Sequence, residues 1–298
     1  MKIKIAVPAT SANLGPGFDT LGLALKVYNY LEVDLDTDQT VVEITGSGSA
    51  YLPTDKTNLV YKAAAAVFKT AGKTPPPLRI KQENHIPPAS GLGSSAAAVV
   101  GGMFAANALL KSPFSPGELL NLAVEFEGHP DNAAPALLGG LVVSGIDRDQ
   151  VIWQKVAVKN PPQVVIIAPE YRLKTAESRS MLPREVAFSD AVGNLSRLAF
   201  LLNCFTAGDY TYLRYGCEDF LHQNYRAELI PGFQAAISAC YQAGGLGAAL
   251  SGAGPCVIAF AKSDAEKVAT RMLAAFGEHG IKSRAIITGI SDQGASVV

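Results

Sequence analysis

Apolar residues along the chain follow two rhythms. Alternation predicts strands at Ile3–Val7, around Leu23–Leu35 and at Val41–Ile44. Helical spacing replaces it in "NLVYKAAAAVFKTAG", which ends at Gly72 and the prolines at 75–77. Alternation returns in "LRIKQE" (78–83), which leads into a glycine loop and then an alanine-rich run ending at Leu110. "SPGELLNLAVEFEG" marks a helix start, with Ser115 at the N-cap, Pro116 first in the helix and Glu118 completing a capping box. Strands near 140–144 and 151–158 close this half, and "KNPPQ" (159–163) reads as a seam. Beyond it the pattern predicts strand 164–168, helices 189–207 and 232–243, and strands 246–250 and 256–261. Helix 264–276, with a second capping box from Ser263 and Glu266, and strand 283–288 complete the chain. Strands and helices mixed without regular βα alternation predict an α+β fold, and the final β–β–α–β run is compatible with half of a ferredoxin-like unit. The seam divides the chain into expected domains at 1–158 and 159–298.

Composition narrows the function classes. The chain has 298 residues, of which 48% are hydrophobic and 17% charged, so it can bury a large core and is not disordered. Its net charge of −1, with no block of like charges, argues against nucleic acid or an anionic membrane as the main partner. Ala96–Leu110 is too short to span a bilayer, and "MKIKIAVPA" lacks the apolar core of a signal peptide. Cys204, Cys217, Cys240 and Cys256 have no metal-binding spacing and read as buried small hydrophobes in a reducing, cytoplasmic setting. A small ligand held in a pocket fits this picture.

Three glycine-rich stretches carry candidate chemistry. In "PATSANLGPGFDTLG" (8–22), Gly15-Pro16-Gly17 predicts a tight turn, flanked by Asn13 and Asp19, which could grip an amine or hydroxyl. In "IPPASGLGSSAAAVV" (86–100), a glycine turn feeds a helix, so free amides and the positive end of a dipole converge where an anion can sit. The equivalent Walker loop would carry a lysine before its serine, and here there is none. Gly91 and Gly93 clear side chains from the backbone, while Ser94 and Ser95 offer hydroxyls. The third stretch, "GAALSGAGPCVIAF" (247–260), reads as a hairpin turn that could also lie against phosphates. A fourth stretch, "EFEGHPDNAAP" (125–135), packs Glu127, His129, Asp131 and Asn132 into one turn before a strand. An acidic residue there can complete a Mg²⁺ site together with a serine hydroxyl.

Together these stretches resemble the three motifs of the galactokinase, homoserine kinase and mevalonate kinase superfamily, the GHMP kinases. "PATSANLGPGFDTLGLAL" and "EGHPDNAAP" are most similar to its homoserine branch. The resemblance implies a two-domain fold: an N-terminal domain like domain 2 of ribosomal protein S5, with a left-handed βαβ crossover, and a ferredoxin-like C-terminal domain. It implies ATP and Mg²⁺ as cofactors and L-homoserine as the small-molecule substrate, in a step of threonine biosynthesis, and leaves room for a homodimer. By the same resemblance the phosphate loop is Pro87, Pro88, Ala89, Ser90, Gly91, Leu92, Gly93, Ser94, Ser95, Ala96 and Ala97. Ser95 and Glu127 would hold the metal, with Glu125 as the alternative carboxylate, and adenine would lie near Asn58 and Val60. Asn13, Asp19, His129, Thr175, Arg179 and Arg226 would bind the substrate, the two arginines forking its carboxylate. Asp131 and Asn132 lie where relatives keep a catalytic aspartate. Because phosphoryl transfer has a loose transition state, positioning is expected to outweigh a general base. Lys2 and Lys4 are expected to face water. The rival readings are a GHMP kinase acting on another hydroxyl acceptor, and a nucleotide-binding protein without turnover.

Overall fold

The computed structural model describes residues 1–298. The first sheet holds β1 (Lys2–Asn13), β2 (Gly17–Asp34), β3 (Val41–Gly46), β4 (Arg79–Asn84), β5 (Leu141–Asp147), β6 (Gln150–Val156) and β11 (Ser296–Val297). Its order is β11-β1-β2-β4-β3, with β5 joining β2 and β6 following β5. β3 and β4 run parallel, connected by α1 (Leu59–Thr70), and the other pairs are antiparallel. β2 is long enough to pair with β4 through Tyr30–Asp34 and with β5 through Leu21–Leu23. It therefore carries the first glycine-rich stretch from the sheet into the region where α2 (Ser94–Leu109) begins.

α2 is buried almost all round, packed on α1 and β1. That explains a sequence of small residues without an amphipathic stripe. Its buried Asn107 is satisfied by both backbone groups of Phe114, which turns the chain into α3 (Pro116–Glu127). The Ser115–Glu118 capping box is present as expected.

The second sheet holds β7 (Gln163–Pro169), β8 (Gly247–Leu250), β9 (Val257–Ala261) and β10 (Ser283–Thr288) in the antiparallel order β10-β7-β9-β8. α6 (Phe188–Ala207), α9 (Phe233–Gln242) and α10 (Ala265–Glu278) complete it, and the order is that of a ferredoxin-like unit. β7 explains its own unbroken apolar run. Val165 and Ile167 enter a core against α9 and α10, while Val164 and Ile166 enter the core shared with the first sheet. No helix is long and apolar enough to cross a membrane.

Several expectations need correction. β1 does not stop at Val7 but runs to Asn13, absorbing Pro8 at a bulge, so most of the first glycine-rich stretch is strand. The Ser263–Glu266 box does not form: Asp264 opens α10 in a left-handed conformation, and no side chain caps it. "DNAAP" leads into a short helix, α4 (Ala133–Leu138), before the strand. α5 (Thr175–Ser180), α7 (Leu213–Gly216) and α8 (Gln223–Ala227) are too short to show a period in the sequence.

Gly102 lets α2 approach α1, since a Cβ there would run into the Val60 carbonyl. Ala is worth up to about 1 kcal/mol over Gly in a free helix, but overpacking against backbone costs about 1–3 kcal/mol. Gly102→Ala should therefore lower the urea midpoint rather than raise it, without altering the cavity residues.

Candidate active site

Six segments converge on one cavity of about 290 Å³: the β1–β2 turn, the loop into α2, the α3–α4 connection, the β8–β9 turn, α5 (Thr175–Ser180) and α8 (Gln223–Ala227). The first four are the stretches that stood out in the sequence.

At one end lies the start of α2. Gly93 is its N-cap in a left-handed conformation, with no side chain capping the helix. The amides of Ser94, Ser95 and Ala96 have no intrahelical partner, and the helix dipole is positive there. Ser94 and Ser95 line the cavity, whereas Leu92, Ala96 and Ala97 are buried and do not line it. Gly91 and Gly93 line the cavity and also serve a purpose within the protein. A Cβ on Gly91 would strike the Ser251 carbonyl, and one on Gly93 would strike the Thr10 hydroxyl. Both clear space for neighbouring protein, which fixes where the loop amides point.

Ser95 Oγ donates to Glu127 Oε1 at 2.6 Å. Burial raises the Glu127 pKa above its ordinary value, opposed by that hydrogen bond. Glu127 lines the cavity, whereas Glu125 is exposed outside it.

At the other end lies a set of paired charges. Arg179 Nη2 donates to both oxygens of Asp19 (2.8 and 2.9 Å). Asn13 Oδ1 accepts from the Asp19 amide (3.1 Å), and Asn13 Nδ2 donates to the Gly252 carbonyl (3.0 Å). Thr175 and Arg179 share one face of α5 and both line the cavity. Arg226 is 2% exposed and donates to the same Gly252 carbonyl at 3.1 Å. Burial, reinforced by Arg179, brings its guanidinium down to about 10, so it is charged at neutral pH. Between the two ends, His129 Nδ1 donates to Asp131 Oδ1 (2.7 Å), and Thr10 Oγ1 donates to Asn132 Oδ1 (2.8 Å). The Asp131 hydrogen bond raises the His129 pKa, with burial opposing it. Lys2 pairs with Glu32 and Lys4 lies over Tyr30, both exposed on the sheet surface.

Comparison with known proteins bears on this arrangement. Residues 58–140 match the family model "GHMP kinases N terminal domain", and residues 202–279 match "GHMP kinases C terminal". A homoserine kinase of Carboxydothermus hydrogenoformans is 48% identical, over 98% of this chain and 95% of that protein. One of Moorella thermoacetica is 45% identical over 99% of each. The chain belongs to the homoserine kinase family of the GHMP kinases. A crystal structure of homoserine kinase from Cytophaga hutchinsonii superimposes with a TM-score of 0.89 at 32% identity, covering 100% of this chain and 97% of that one. The two sheets described above are thus the two-domain GHMP kinase fold.

Within this GHMP kinase, Asn58 and Val60 do not reach the cavity. Asn58 caps α1, accepting from the Val60 amide (2.9 Å) and Gln82 Nε2 (2.8 Å), and Val60 is 1% exposed in the core. Asn58 acts instead on the chain just before α1. Asn58 Nδ2 donates to the Pro53 carbonyl (2.7 Å), securing the loop that carries Tyr51. Tyr51, Pro87 and Pro88 line an adjoining cavity of about 350 Å³, where Arg172 lies 3.7 Å over the Tyr51 ring.

Sequence reasoning undervalued the "SGAGP" turn. Ser251 Oγ lies 2.7 Å from the Gly91 carbonyl and 2.8 Å from Ser11 Oγ. The Gly252 amide donates to the Ala12 carbonyl (3.0 Å), and Ser178 Oγ donates to the Ala253 carbonyl (2.8 Å). Three long-range glycine-rich stretches meet at this turn, and nothing local in the sequence signals that pairing.

The His129–Asp131 pair makes a pH prediction for the metal-free chain. Because the folded pKa of His129 is raised, its proton stabilises the fold below the unfolded value near 6.5, and that contribution fades as pH rises through the raised value. Urea unfolding in EDTA should show the wild type gaining most over His129→Gln below pH 6.5, with the gap closing at higher pH.

Proposed function

We propose that the chain transfers the γ-phosphoryl group of ATP to the side-chain hydroxyl of L-homoserine, giving O-phospho-L-homoserine for threonine synthesis. The observation that carries this reading is one cavity with free helix amides at one end and a buried arginine beside an Asn–Asp–Arg cluster at the other. The first end suits a triphosphate, and the second suits the carboxylate and ammonium of an amino acid. The names of the near-full-length relatives support the same acceptor.

On this reading the Ser94–Ala96 amides and the Ser94 hydroxyl receive the phosphates, and the Tyr51–Pro87 cavity takes the base. Arg226 and Arg179 meet the substrate carboxylate, while Asn13 and Asp19 meet its ammonium, with Thr175 and His129 completing the wall. Ser95 and Glu127 offer two hard oxygen donors within 2.6 Å of each other, a set that fits Mg²⁺. When bound, that ion would neutralise charge on the phosphates, the task that a P-loop lysine performs in other kinases. Asp131 orients His129, and Asn132 is held by Thr10, so the hydroxyl is aligned rather than deprotonated early.

ADP release coupled to L-homoserine tests the reading. Wild-type chain should turn over L-homoserine and reject analogues lacking the amine, whereas phosphorylation of mevalonate or shikimate instead would favour the rival acceptors. Glu127→Ala should lose at least about a hundredfold in kcat, the scale of removing one group that stabilises developing charge. Asp131→Asn should keep substantial turnover, and a loss equal to that of Glu127→Ala would show that a base is required.

A homodimer also fits. Phe188, Val192, Leu195 and Ala199 are exposed on α6, with Phe188 at 86% and Leu195 at 67%. Their spacing of four, three and four is a heptad seam, which a second copy can cover across a twofold axis. Light scattering should give twice the chain mass, and Leu195→Lys should halve it.

A further inference from the structure

His222 has no part in the transfer described above, yet it is 0% exposed and sits one helical turn before Arg226. Its Nε2 lies 2.8 Å from the Gly15 carbonyl, and its Nδ1 lies 3.3 Å from Arg226 Nη1. A carbonyl only accepts and a guanidinium only donates. Nε2 must therefore carry the hydrogen and Nδ1 the lone pair. One tautomer of the neutral ring satisfies both contacts, and the imidazolium satisfies only one.

The surroundings support that state. Phe18 stacks on the ring at 5.0 Å between centroids, and Arg226 lies 5.1 Å over the other side chain of that stack, Phe18 itself. The Asp219 carboxylate is 3.7 Å from Nε2, but its oxygens already accept from the amides of Leu221, His222 and Gln223 at 3.1, 2.7 and 2.7 Å. Burial holds the imidazole pKa below its ordinary value, against Asp219 and with Arg226.

We propose that His222 is a positioning residue: as a neutral Nε2–H imidazole it ties the Arg226 guanidinium to the Gly15 turn and aims it at the acceptor carboxylate. The proposal rests on the reading that Arg226 meets that carboxylate. Arg226 has few other restraints. Its Nε has no partner, and its remaining bond goes to the Gly252 carbonyl. A carboxylate at position 222 would hold the guanidinium more firmly, but it would also cancel the charge needed for the ligand. A neutral acceptor fixes orientation and leaves the charge free. The same ring fixes the turn that carries Asn13, so two groups that share the Gly252 carbonyl move as one unit.

Two substitutions separate the two ring contacts. Glutamine can keep a donor near the Nε2 position but leaves Arg226 without its acceptor, whereas asparagine can keep an acceptor near Nδ1 and loses the Gly15 bond. His222→Gln should raise the KM for L-homoserine about tenfold or more, the worth of one hydrogen bond to a charged group, with kcat and the ATP KM little changed. That penalty should vanish with 3-aminopropan-1-ol, which has the amine and hydroxyl but no carboxylate. His222→Asn, which restores the acceptor for Arg226 but not the Gly15 bond, should give a homoserine KM between those of the wild type and His222→Gln. Long-range ¹H–¹⁵N spectra of the wild type at neutral pH should show Nδ1 bare and Nε2 protonated. An Nδ1–H tautomer, an imidazolium, or a His222→Gln loss of equal size for both acceptors would overturn the proposal. If the wild type binds ATP but phosphorylates neither acceptor, the acceptor reading fails, and the ring spectrum still decides the His222 link.

Discussion

The Gly252 carbonyl accepts hydrogen bonds from Asn13 and Arg226, while one residue earlier the Ser251 hydroxyl touches the Gly91 carbonyl and Ser11. A turn of the second sheet thus holds the first-sheet turn, the phosphate loop and the buried arginine in one place. What the cavity can do depends on that contact, because neither the phosphate loop nor Arg226 is fixed by a long element of its own, whereas Ser11 and Asn13 lie in β1. The loop from 85 to 93 has no regular structure, and Arg226 stands on a helix of five residues. Long-range hydrogen bonds to backbone carbonyls, rather than local propensity, set the aim of the amides and of the guanidinium.

Holding phosphate without a lysine follows from the same constraint. Amides at a helix start carry only partial charge, so their worth depends on being pre-aimed and shielded from water. Gly91 and Gly93 secure the aim by letting Ser251 and Thr10 press against the loop. The oxygen pair of Ser95 and Glu127 stands beside those amides, and burial raises the pKa of the Glu127 carboxylate. On the proposed reading, a divalent cation held there would favour the carboxylate and add charge beside the amides.

Much of this was legible in the chain. Strict alternation and helical spacing located the long elements, and the Ser115–Glu118 box marked its helix correctly because both partners are local. The expected substrate residues from Asn13 to Arg226 line one cavity with Glu127 and with Ala89–Gly91 and Gly93–Ser95, while Pro87 and Pro88 line its neighbour and Leu92, Ala96 and Ala97 are buried. What escaped was non-local. β1 extends to Asn13 because β2 continues the ladder as far as Gly17, which no window of eight residues can reveal. Ser263 and Glu266 had the right spacing for a cap, but the chain enters α10 through a left-handed Asp264. Asn58 has the polarity of a ligand contact and the burial of a structural one, since its amide is spent on Pro53, Val60 and Gln82. His222 carries no signal of its own, and the glycine-rich Gly252 turn shows itself without its partners, until the fold brings residues 207 and 239 positions apart into contact.

The charge pattern also bears on which acceptor the cavity can accept. Arg179 and Asp19 are paired with each other, and both remain partly exposed, at 42% and 31%. An exposed pair of this kind holds together with about 0–1 kcal/mol, so opening it costs little. On the proposed reading, a zwitterionic amino acid would restore the balance on entry, its ammonium replacing Arg179 for Asp19 and its carboxylate taking up the arginines. An acid without an amine would satisfy the arginines and leave Asp19 beside its own negative charge. Discrimination then comes from the carboxylate left without a partner rather than from the contacts made, and unpaired charge is the more costly of the two.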